Sequence, residues 1–122
     1  MFPYNAIMDR WNSLTRVPLF VGAAPEGTKE PYATMNVVQS NPVILAPRIA
    51  VWNESLLQVS LHAARLEDIE LYAGPIRTGF RFYSSEEIAD VILMNSGADY
   101  NKQPALSGNR GWVESMEFKI IH

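Results

Sequence analysis

The chain has 122 residues, 48% of them hydrophobic and 19% charged, with a net charge of −3 and no cysteine. That length suits one domain with a real core and leaves no room for two. The missing cysteines exclude disulfides, thiolate nucleophiles and cysteine-ligated zinc, and a pI of about 5.3 argues against a general phosphate-backbone binder, which needs clustered Lys and Arg. No apolar stretch approaches the roughly 20 residues of a membrane helix, and the start lacks a basic segment followed by an apolar run. The chain is therefore expected to be made in the cytoplasm, with no membrane partner.

The first expected element is an amphipathic helix near residues 3–15. Tyr4, Ile7, Met8, Trp11 and Leu14 recur at helical spacing and form one apolar stripe. Pro3 suits a first turn, where its missing N–H costs nothing, and Val17-Pro18 stops the helix. Leu19, Phe20 and Val21 read as a short edge strand. Residues 22–31 hold Gly22, Pro25, Gly27 and Pro31 and read as a loop, without the spacing of a phosphate-binding loop.

Residues 32–39 alternate, with Ala33, Met35 and Val37 on one face and Thr34, Asn36 and Val38 on the other, as a half-buried strand does. Residues 40–47 follow as a loop with three aliphatics, Val43, Ile44 and Leu45, between Pro42 and Pro47. Either this loop folds back on its own core or it is an exposed apolar tip that docks on a partner. Residues 54–63 give a clearer strand, with Leu57, Val59 and Leu61 facing one way and Leu56, Gln58, Ser60 and His62 the other. It leads into a helix near 65–80 carried by Leu66, Ile69, Ala73, Ile76 and Phe80. Glu67, Asp68 and Glu70 in its first turns suit the helix dipole. Gly74-Pro75 either kinks this helix or divides it, and a kink is the favoured reading.

Ser84 to Glu87 fit a capping box for one or two helical turns. Residues 90–95 read as a strand, 96–109 as a long polar loop, and 111–121 as a closing strand with Trp112, Glu114, Met116, Phe118 and Ile120 on one face. The two strands can pair as a long-loop hairpin. The expected fold is a single α+β domain over 1–122, a mostly antiparallel β-sheet with two main helices packed on one face. Trp11, Ile69 and Phe118 are expected in one core.

Little in the chain suggests catalysis. His62 and His122 are the only histidines. His62 near Ser60 has the look of a base and a nucleophile but reads as a sheet-face histidine. The Arg77/Arg81 pair reads as a solvated helix face. Glu86, Glu87 and Asp90 could meet a divalent cation on a helical turn, yet no recognised metal or nucleophile motif occurs. The expectation is no enzyme, no catalytic residue, no cofactor and no metal. Two carboxylates alone can support hydrolysis, so a small cytosolic enzyme or ligand-binding domain is an alternative.

The order of elements, with Pro31-Tyr32-Ala33 opening a strand, a second strand running into a helix, and a terminal hairpin whose last strand opens with Gly111-Trp112, resembles the tail-completion and tail-terminator proteins of long-tailed bacteriophages. The resemblance covers most of the chain as an arrangement of elements, and Pro31-Tyr32 is its one motif-like match. It implies a virion structural subunit at the head–tail junction: a homo-oligomer, a hexameric ring, that stops tail-tube polymerisation and meets the head connector proteins, with DNA only as passing cargo. Another phage neck or tail protein of the same fold is the nearest alternative. Under this reading Val43, Ile44 and Leu45 are the expected interface.

Overall fold

The computed structural model describes residues 2–44, 51–101 and 111–122. Its elements are α1 (Tyr4–Leu14), β1 (Leu19–Val21), β2 (Tyr32–Ile44), β3 (Val51–Ala63), α2 (Leu66–Phe80), β4 (Asp90–Asn101) and β5 (Gly111–Ile121). The strands form one five-stranded sheet in the order β1-β2-β3-β5-β4. β1 lies parallel to β2, and every other neighbouring pair is antiparallel. The fold is α+β, as the periodicities indicate.

Both helices cover one face of the sheet. Period-two alternation supplies that face from each strand: Ala33 and Met35 from β2, Leu57, Val59 and Leu61 from β3, Met116, Phe118 and Ile120 from β5, and Val91 from β4, all buried. The helices add Ile7 and Trp11 from α1 and Ile69, Ala73, Ile76 and Phe80 from α2. Trp11, Ile69 and Phe118 belong to the same core cluster. The Trp11 indole N–H donates to the Val17 carbonyl at 2.7 Å, so the buried indole keeps its polar edge satisfied. The helices meet at Gly79, where an added Cβ would come within 2.2 Å of Leu14. The Arg10 guanidinium donates twice to the Gly79 carbonyl at this crossing.

Three strand boundaries differ from the sequence reading. β2 runs on to Ile44 and β3 starts at Val51, pairing Pro42 with Asn53, Val43 with Trp52 and Ile44 with Val51. Pro42 does not end the strand, because the reciprocal backbone bonds of Asn53 with His122 fix the phase of the ladder and turn the Pro42 nitrogen to the outer edge, where no N–H is needed. β4 continues past Asn95 to Asn101 through an irregularity between Leu93 and Asn95, so the first part of the expected loop 96–109 is strand. Residues 102–110 lie outside the described residues.

α2 runs through Gly74-Pro75 as one helix. The carbonyl left without its N–H partner belongs to Leu71, a solvent-exposed residue. Residues 84–87 form no helix. The Ser85 hydroxyl accepts from the backbone N–H groups of Glu87 and Ile88, and the Ser85 N–H donates to the Ile88 carbonyl at 2.7 Å. That local loop drives Ile88 into the core.

Candidate assembly surface

α2 ends at Phe80, and the chain must then turn onto the outer side of β4. Phe82 makes that turn with φ 62°, a left-handed backbone that costs a side-chain-bearing residue about 1–2 kcal/mol. Its N–H donates to the Val91 carbonyl at 2.8 Å. The ring is left 68% exposed, with the Arg81 guanidinium over it at 5.0 Å. A depression of about 400 Å³ opens here, lined by Arg77, Thr78, Arg81, Phe82 and Leu93.

Among the described residues, the outer edge of β4 is closed only at its start. At Val91 the carbonyl takes the Phe82 N–H, and the N–H donates to the Asp90 carboxylate at 2.8 Å. Beyond that, the register with β5 turns Asn95, Gly97, Asp99 and Asn101 inward and Leu93, Ser96, Ala98 and Tyr100 outward. No strand pairs with that outer side among the described residues. β4 contains no Lys, Arg or Pro; its edge is interrupted by the irregularity between Leu93 and Asn95, and Met94 there is 51% exposed.

At the far side of the sheet, β1 covers only Ala33 to Met35 of β2. The Gly22 N–H adds one more bond to the Met35 carbonyl, 2.9 Å. The ladder irregularity at Val38 and the phase fixed at Asn53 leave Val37, Ser40 and Pro42 facing outward. Val38 is 51% exposed. Among the described residues, the sheet thus has an open stretch on each side.

The residues singled out from sequence are scattered. Val43 and Ile44 lie in paired strand at the end of the β2–β3 hairpin, not in a loop, and Leu45 lies outside the described residues. Glu86, Glu87 and Asp90 sit on no helical turn. Among the described residues no three His, Asp or Glu side chains gather as a metal-holding group. His62 is stacked on Tyr32 at 4.6 Å, and burial lowers its pKa while Glu30 opposes the shift.

Arg77 is not a free surface cation. It forms an ion pair with Glu114, which is 3% exposed and sits on the helix-facing side of β5. Burial raises the Glu114 pKa, and the Arg77 charge and hydrogen bond pull it back. The alternation 112, 114, 116, 118, 120 already placed this carboxylate on the apolar face, and a buried carboxylate demands a cation. That signal calls for a cation on a facing element without saying which one, and the Arg77/Arg81 pair reads in the sequence as a solvated helix face.

A second polar group was not visible in the sequence. The Ser55 hydroxyl, fully buried, lies 2.8 Å from His122 Nε2 and 2.9 Å from the Ser40 hydroxyl. Burial lowers the His122 pKa, and Phe2 packs edge-on against its ring. Ser55 is buried, and no carboxylate orients the imidazole among the described hydrogen bonds. The trio ties β2, β3 and the residue after β5 together.

No protein-family model and no curated protein matches the chain. Among the described residues, no helix is long and apolar enough to cross a membrane.

Proposed function

We propose that this chain is a structural subunit that assembles with copies of itself into a ring, in the manner of the phage head–tail junction proteins its element order resembles. The observation that supports this best is the sheet with two open edges. An unpaired edge is a template for another strand, and a protein that leaves one open uses it or risks aggregation. A closed, heterologous ring covers both edges at once.

In this reading the subunit is part of a virion, capping the tail tube and meeting the head connector, with DNA passing through the ring. The net charge of −3 suits a wall that does not hold a polyanion. The Val43-Ile44 end of the β2–β3 hairpin serves as a further contact, toward an axial neighbour. Electron microscopy of the purified full chain tests the proposal: rings of uniform diameter with a central opening are expected, and uniform single-domain particles would overturn it.

A further inference from the structure

We propose that the outer edge of β4 in one copy pairs with the outer edge of β2 in the next, so that the sheet continues from subunit to subunit. This deepens the ring reading and rests on it. Past the irregularity at Leu93/Asn95, the outward N–H and C=O groups at Ser96, Ala98 and Tyr100 are best satisfied by another strand, because only an extended chain repeats donors and acceptors at that spacing.

The occupant follows from the rest of the sheet. Its order places β4 at one side and the β1-β2 pair at the other. A copy that offers β4 therefore still has its β2 edge free, which is the condition for a head-to-tail contact that propagates and closes. β4 runs opposite to β2, because each step from β2 through β3 and β5 to β4 is antiparallel. A neighbour in the same orientation brings its β2 alongside antiparallel, the arrangement the sheet already uses.

The β2 edge also bounds the contact. β1 blocks it up to Met35, and Pro42, turned outward, offers no N–H. The accepting window is centred on Val37 and Ser40. Exposed apolar side chains flank both edges, Met94 and Ile92 on one and Val38 on the other. β4 pairing with β4 of a second copy would form a dimer but leave every β2 edge open.

The chain has no cysteine, which makes the contact testable by placed thiols. Ser96→Pro removes one outward N–H and no bond to β5, and Met94→Lys puts a charge beside the edge. Each is expected to shift the native mass from multimer to the 13.7 kDa chain with an unchanged circular dichroism spectrum. The double variant Ser40→Cys/Ser96→Cys, treated with a bismaleimide in native buffer, is expected to give a ladder of covalent multimers that stops at the ring size. Covalent dimers from Ser96→Cys alone would overturn the head-to-tail pairing in favour of β4 against β4. A multimer that survives both edge variants and gives no ladder would leave the ring standing and overturn this contact. A wild-type chain that is monomeric at every concentration would overturn the ring reading and this contact with it.

Discussion

Replacing Trp11 with alanine probes the centre of the fold. Its side chain is fully buried, tilted against Phe80 at a centroid distance of 6.2 Å, and bonded through its N–H to the Val17 carbonyl. Truncation removes the largest apolar surface in the α1 contact and leaves a cavity beside Phe80, for which buried Trp→Ala changes cost about 3–5 kcal/mol. The Val17 carbonyl also loses its partner, and an unsatisfied buried group carries a penalty of about 1–3 kcal/mol, part of which falls within that range. A domain of this size has about 5–15 kcal/mol in total, so the variant should stay folded with a much lower urea midpoint. Trp11→Phe keeps most of the volume and loses the bond, and should fall between the two. Urea melts followed by circular dichroism, at one fixed protein concentration because assembly adds to apparent stability, give the numbers. A loss below about 1 kcal/mol for Trp11→Ala would show that the α1 stripe does not pack on the sheet as described.

Glu114 titrates in the opposite sense to most carboxylates. Its folded pKa lies above the usual 4.5 because of burial, so the folded state holds the proton more tightly, and stability should decline as pH rises from 4.5 through the folded value. Glu114→Gln should remove that decline in pH-dependent melts, and an unchanged pH slope would refute the assignment. Partial burial holds the half-buried His62 imidazole below its usual pKa of 6.5. Stability should fall as pH drops below 6.5, and His62→Gln should lessen that fall; equal acid sensitivity in the variant would count against it. At Gly111 an added Cβ would meet the Ala63 carbonyl oxygen at 2.5 Å, a backbone atom that cannot swing aside. Gly111→Ala should therefore cost about 1–3 kcal/mol in the same urea assay, and a neutral result would show that β3 and β5 are less closely apposed there.

The alternation of Leu57, Val59 and Leu61 and the helical spacing of Ile69, Ala73, Ile76 and Phe80 carried the sheet and helix layers, because burial on one side imposes those periods directly. Strand ends were harder. Pro42 and Gly97 look like punctuation in a linear reading, yet Pro42 is tolerated because its nitrogen faces the outer side, and Gly97 pairs with Ser115 inside the ladder. Whether a proline faces a neighbour or the solvent depends on strand order, which residues 32–44 do not state by themselves. The candidate surface depended on strand order too. Nothing local to residues 90–101 indicates that β4 lies at the side of the sheet, and nothing local to Phe82 indicates a left-handed turn. Glu114 was legible as a charge on an apolar face, whereas Ser55 and His122, 67 residues apart, meet only through the pairing of β3 with β5.

Native mass spectrometry of the full chain over a range of concentrations tests the central claim, self-assembly into a closed ring, most directly. A single multimer of fixed stoichiometry, six times 13.7 kDa for the expected hexamer, that does not grow further with concentration is the predicted result. A 13.7 kDa monomer at every concentration, or an open-ended series of masses with no preferred closure, would contradict it.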